Sequence, residues 1–74
     1  MDIKVRLFAT LRENRGKEVN LEMKETALPR DIIEKLDISE PEVAILLVNG
    51  RDGKLDQELS DGDVVSIFPP VGGG

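Results

Sequence analysis

Residues 2–8 alternate in polarity. Ile3, Val5 and Leu7 share one parity, and Lys4 and Arg6 share the other. A period of two with β-branched residues predicts a strand with one buried face. Phe8 then falls on the polar parity, where its ring is either covered by a loop or offered to a partner. Thr10 to Gly16 is polar and ends on glycine, which predicts a loop. Val19, Leu21 and Met23 alternate with Asn20, Glu22 and Lys24, a second strand of the same kind. The short connection makes the two an antiparallel hairpin. Pro29 predicts the first turn of a helix, where its missing N–H costs nothing. Asp31 follows where an acid complements the helix dipole. Leu28, Ile32 and Leu36 recur every four residues with Ile33 beside them. This is one apolar stripe facing a sheet, over residues 29–37. A helix this short depends on that packing. Ser39-Glu40-Pro41-Glu42 breaks it.

Val43 to Val48 is apolar on both parities. Such a run predicts a central strand buried on both faces or nearly so. Asn49-Gly50 and Asp52-Gly53 are turn dipeptides. Leu55 and Leu59, isolated in a polar stretch, pin that segment to the core. Ser60-Asp61-Gly62-Asp63 is a further tight turn. Calcium-loop spacing is absent around both Asp52 and Asp61, so no metal site is expected. Val64, Val65, Ile67 and Phe68 form the last strand, with Val65 and Ile67 inward and Phe68 on the opposite face, as Phe8 is. The order strand, strand, helix, strand, turn, strand predicts an α+β fold, a mixed sheet with one short helix across it. With the helical crossover between two hairpins, the first and last strands can lie side by side in parallel. That is a β-grasp arrangement, and it brings Phe8 near Phe68.

Residues 1–70 are expected to be this one domain, and 71–74 a glycine-rich tail. Proline lacks the N–H of a sheet ladder, so pairing should end at Pro69. Pro69-Pro70 favours an extended path away from the body. From Pro69 to Gly74 the chain spans at most roughly 20 Å. Three glycines make a thread without Cβ atoms, able to enter a channel that admits only backbone. The Gly74 carboxylate at its end is the candidate reacting group.

Composition removes the competing chemistries. The chain has no Cys, His, Trp or Tyr. Thiol nucleophiles, imidazole bases and the usual structural zinc sites are thereby excluded. Ser39, Ser60 and Ser66 have no base to activate them. An enzyme acting alone is not expected; any reactive group must be installed by another protein. Net charge is −5, yet residues 1–17 hold five cations against two acids. The acidic total and only two Phe argue against nucleic acid, which needs clustered cations and stacking aromatics. Charges punctuate the N-terminal stretch as no signal-peptide core allows. The longest apolar run is too short to span a bilayer. A cytoplasmic protein is expected.

The stretches "IKVRLFATLRE" (residues 3–13), "VNG" (48–50), "LSDGDVVSIFPPV" (59–71) and the final Gly73-Gly74 together resemble the ubiquitin-like sulfur carriers. The pattern is most similar to the small subunit of molybdopterin synthase. The chain differs from that pattern at Ser39 to Glu42, where a second helical turn is nearly lost. The resemblance implies that an ATP-dependent, ubiquitin-activating-like adenylyltransferase adenylates the Gly74 carboxylate, which is then converted to a thiocarboxylate. The carrier would next deliver sulfur to a pterin precursor, for a molybdenum or tungsten cofactor, in a complex with the large synthase subunit. Gly72 and Gly73 would thread the partner's channel, and Phe8, Phe68, Pro69, Pro70 and Val71 would form the docking surface. No cofactor is expected on the chain itself; ATP belongs to the activating partner. Three alternatives stand beside this one: a thiamine-pathway sulfur carrier, a protein modifier forming isopeptide bonds through Gly74, and a passive binding domain. The "FPPV" end and the "LFATLRE" start favour the pterin pathway.

Overall fold

A computed structural model describes residues 1–70. Five strands form one sheet: β1 (Asp2–Leu7), β2 (Glu18–Glu22), β3 (Ile45–Val48), β4 (Arg51–Asp52) and β5 (Val64–Phe68). Their order across the sheet is β2-β1-β5-β3-β4. β1 pairs with β2 antiparallel, with Ile3 opposite Leu21 and Val5 opposite Val19. β1 and β5 run parallel, with Val5 beside Val65 and Leu7 beside Ile67. The single helix, α1 (Pro29–Lys35), belongs to the crossover that a parallel pair requires. This is the β-grasp arrangement expected.

The inward parity of β1 and β5 is buried as predicted, while Val19 and Leu21 on the edge strand β2 are half-buried against the core. Val5, Leu7, Val65 and Ile67 are fully enclosed, and Ile32 and Ile33 of α1 pack into the same cluster. Leu59 is buried and Leu55 packs against the core, so both pin their loop as expected. The helix is shorter than 29–37. It ends at Lys35, and Asp37 takes a positive φ of 59°, which stops the spiral. Within the stripe, Ile32 and Ile33 are buried while Leu28 and Leu36 lie at its margins, half-buried.

Three expectations are corrected. The Thr10–Gly16 loop begins with a 3-10 turn, Ala9–Arg12, that buries Leu11. The apolar side chain at 11 gave the segment something to bury, and that outweighs its polar composition. Ser39 to Glu42 likewise keeps a 3-10 turn, Glu40–Glu42, held by Glu42 accepting from both the backbone and the hydroxyl of Ser39. The largest correction concerns Val43 to Val48. Only Ile45–Val48 is strand, and it is not buried on both faces: Leu46 and Val48 face the core, while Ile45 is 50% exposed. β3 is an interior strand, paired with β5 on one side and β4 on the other, but among the described residues a single α-helix covers only one face of the sheet.

Side chains tie the loops to this frame. The Asn49-Gly50 turn joining β3 to β4 has positive φ at both residues, 53° and 80°, as a tight hairpin turn requires. The Asn49 side chain also accepts from the Val64 amide at 2.9 Å and donates to Asp63 at 2.9 Å, joining the hairpin to the start of β5. In the Ser60–Asp63 turn, Asp63 accepts from the Ser60 amide and Asp61 accepts from the Asp2 amide. These carboxylates serve backbone donors. Arg15 donates to the carbonyls of Leu11, Leu36 and Asp37, placing a cation at the C-terminal end of α1 where the dipole favours it.

At the other end of the helix, Arg30 binds Asp56 through two nitrogens, at 2.9 and 3.3 Å, and Glu40 at 2.9 Å. Hydrogen bonding to Arg30, and then its charge, lower the Asp56 pKa from its ordinary value. A carboxyl lowered in this way adds stability above its unfolded pKa and loses it as pH falls through the folded value. An NMR titration should place the Asp56 midpoint below the usual aspartate range, and Arg30→Met should raise it. An unmoved midpoint would show that the pair does not form in solution. A second expectation concerns Gly53, where a Cβ would stand 2.8 Å from Val48 Cγ2 and 3.0 Å from Gln57 Oε1. Gly53→Ala should lower unfolding free energy by about 1–3 kcal/mol in a urea titration, because Val48 belongs to the packed core. A neutral result would mean that the β4 loop moves away at little cost.

Candidate functional site

The parallel ladder between β1 and β5 decides what stands at the end of the sheet. Leu7 is level with Ile67, so the next residue on each strand, Phe8 and Phe68, emerges at one height on the face away from α1. Their rings stack with centroids 4.1 Å apart and planes 9° from parallel. Both are half-buried. Stacking of this kind contributes about 0.5–1.5 kcal/mol beyond the area buried. The juxtaposition expected from sequence is therefore present.

β3 widens the patch. Ile45 pairs with Phe68 across the antiparallel ladder, and Leu47 pairs with Ser66. Both project from the uncovered face, Ile45 half in solvent and Leu47 half-buried. Sequence reasoning placed these two inside a doubly buried strand and missed them as surface. The signal was available: the β3 run is apolar on both parities, yet the chain has one helix to cover one face. Apolar side chains left on the open side of such a sheet mark an interaction surface.

Around Phe8 the backbone is constrained. Ala9 has φ 52°, a left-handed value that disfavours residues with a Cβ. This reverses the chain into the 3-10 turn. Arg12, at the end of that turn, donates through Nε to the Leu7 carbonyl at 2.8 Å. Its guanidinium carbon sits over the Phe8 ring, 5.2 Å from the centroid, within cation–π range. Sequence reasoning did not single out Arg12. Its role depends on the turn geometry.

Pairing stops where proline was expected to stop it. β5 ends at Phe68, whose carbonyl accepts from the Ala44 amide at 2.8 Å, and Pro69 and Pro70 follow outside the sheet. Val71, Gly72, Gly73 and Gly74 lie outside the described residues. Among the described residues, no group of three or more His, Cys, Asp or Glu could hold a metal, and no helix is long and apolar enough to cross a membrane.

The stack should behave as a coupled pair. In a double-mutant cycle, Phe8→Ala and Phe68→Ala should show a coupling of about 0.5–1.5 kcal/mol in unfolding free energy. Additive effects would mean that the rings do not stack in solution.

Comparison with known proteins extends these observations beyond the described residues. Residues 5–74 match the ThiS family. Small archaeal modifier protein 3 of Haloferax volcanii is 36% identical over 93 aligned residues, spanning 100% of both chains. A structure from Pyrococcus furiosus, provisionally assigned as subunit 1 of molybdopterin converting factor, is 36% identical with a TM-score of 0.78, covering 96% of this chain and 99% of that one. A chain in the complex of subunits 1 and 2 of molybdopterin-converting factor from Helicobacter pylori is 26% identical with a TM-score of 0.66, and the match covers 100% of both chains. A stacked pair at the sheet's end, a proline stop after it and a family match running through the final glycine agree: this chain is a member of the ThiS family, the ubiquitin-like β-grasp proteins that include sulfur carriers and modifiers.

Proposed function

We propose that the chain is a sulfur carrier whose Gly74 carboxylate is the reacting group, serving molybdenum or tungsten cofactor synthesis. One observation carries the reading most directly. β5 ends on Phe68, stacked on Phe8 within the apolar open face, and Pro69 follows at once. The surface that a partner would grip and the root of the glycine tail are therefore adjacent. A partner that docks on Phe8, Phe68, Ile45 and Leu47 is positioned to receive Gly72, Gly73 and Gly74 in a backbone-wide channel.

The chemistry follows from what the chain lacks. A free carboxylate is a poor electrophile, and without Cys or His this protein cannot activate its own. A ubiquitin-activating-like adenylyltransferase supplies ATP. A Gly74 oxygen attacks the α-phosphorus, pyrophosphate leaves, and an acyl-adenylate forms. Sulfide then attacks the acyl carbon, a C–S bond forms as the C–O bond to AMP breaks, and a thiocarboxylate is left. The acceptor is a pterin precursor held by the large subunit of a molybdopterin synthase. The Helicobacter pylori complex of two subunits supports that partnership. The chain contributes a stable body, a grip and an acyl end.

A second reading is supported by the 36% identity to a small archaeal modifier protein over the whole of both chains. A modifier shares the adenylation step. The attacking group is then a lysine amine of another protein, and the product is an isopeptide bond at Gly74.

Incubation with the adenylyltransferase of the same organism, ATP and a sulfide donor should shift the intact mass by one oxygen-to-sulfur exchange. Deletion of Gly74 should abolish the shift while leaving the thermal midpoint unchanged. No shift with an activating enzyme shown to be competent would remove the carrier reading. Isopeptide adducts recovered from cells without any thiocarboxylate would favour the modifier.

A further inference from the structure

The chain carries −5 overall, but its first 17 residues are net positive, and the fold gathers part of that charge beside the ring stack. A shallow groove of about 350 Å³ is lined by Arg6, Leu7, Phe8, Arg12, Lys17 and Glu18. Three cations face one acid. Glu18 lies 3.9 Å from Arg6 and 4.0 Å from Lys4, and exposed pairs at that distance contribute little. The groove therefore keeps a positive potential on an acidic protein.

Arg12 differs from the arginines that lock the fold. Arg15 commits three nitrogens to backbone carbonyls, and Arg30 binds two carboxylates. Arg12 uses Nε on Leu7 and lays its guanidinium over Phe8. Among the described residues, its two terminal nitrogens have no hydrogen-bond or ion-pair partner. A guanidinium held by one nitrogen and one face is pre-organised, and its remaining donors suit a planar acceptor with two oxygens.

We infer that Arg12 is a specificity-determining residue that receives a carboxylate side chain from an acidic segment of the activating adenylyltransferase. The inference rests on the function proposed above and names a contact within it. The activating enzyme is the occupant because carrier and modifier both require it. Charge complementarity selects an acidic segment, and the groove is continuous with the apolar face that docks. Docking on Phe8 removes water beside Arg12, which strengthens the pair.

The test is calorimetric binding of the full chain to its adenylyltransferase across a series of NaCl concentrations, with ATP–pyrophosphate exchange measured in parallel. Arg12→Gln should weaken binding by about tenfold or more at low salt and flatten the salt dependence. Arg12→Lys should recover only part of the loss, because an ammonium has no planar fork. Arg51→Gln, on β4 away from the groove, should leave affinity and salt dependence unchanged. Binding within twofold of wild type by Arg12→Gln, with the wild-type salt dependence, would overturn the inference. So would full recovery by Arg12→Lys, or an equal loss in Arg51→Gln. If Arg12→Gln does not fold, Lys17→Gln replaces it: about threefold weaker binding with a flatter salt dependence supports the groove, and an unchanged dependence overturns it. Wild-type chain that is activated while Arg12→Gln is equally active sinks this contact alone. Wild-type chain that is never activated sinks the proposed function itself.

Discussion

The parallel pairing of β1 with β5 is the constraint on which the rest depends. Parallel neighbours cannot be joined by a tight turn, so α1 must lie in the connection between them. The helix then seals one face of the sheet over Val5, Leu7, Val65 and Ile67. The same register delivers the ends of the two strands to one height. Phe8 and Phe68 stack because Leu7 is level with Ile67. Core and candidate site are two faces of a single ladder.

That arrangement separates stability from recognition. The covered face is wholly aliphatic, and Arg15, Arg30 and Asn49 fasten the loops around it. A domain this small buries a modest share of its surface and has little stability to spare. The open face carries Phe8, Phe68, Ile45 and Leu47, whose exposure is tolerable if a partner covers them. Side chains on the outward parity of a strand can change without opening a cavity in the core. The open face can therefore change while the frame is kept.

Charge follows the same division. Most acids lie outside the β1 region, where several serve as caps and turn locks: Asp31 for the start of α1, Glu42 for Ser39, Asp63 for Ser60. Accepting from Ser39 lowers the Glu42 pKa from its ordinary value. The cations near Phe8 do less for the fold, and Arg12 and Lys17 form no ion pair among the described residues. A cationic margin beside an apolar patch, on a chain that is otherwise acidic, would give the proposed docking face an orientation that apolar contact alone would lack.

Local pattern by itself determined most of the strands, the helix start and much of the candidate site. Alternation placed Ile3, Val5, Leu7, Val65 and Ile67 inward, Pro29 marked the helix start, and Pro69 marked the end of pairing. The absence of Cys and His directed attention to the terminal carboxylate, and the "DGD" and "FPPV" segments with the final glycines identified the family. These are properties of short stretches and need no knowledge of neighbours. Tertiary structure decided the rest. Burial of Leu11 turned a polar loop into a 3-10 turn. The helix covers one face of the sheet only, which left Ile45 and Leu47 of the interior strand β3 on the open face. Arg12 met Phe8 only after Ala9 reversed the chain. Each of these depends on which segments lie beside one another, and a one-dimensional periodicity carries no record of which face a distant helix will cover.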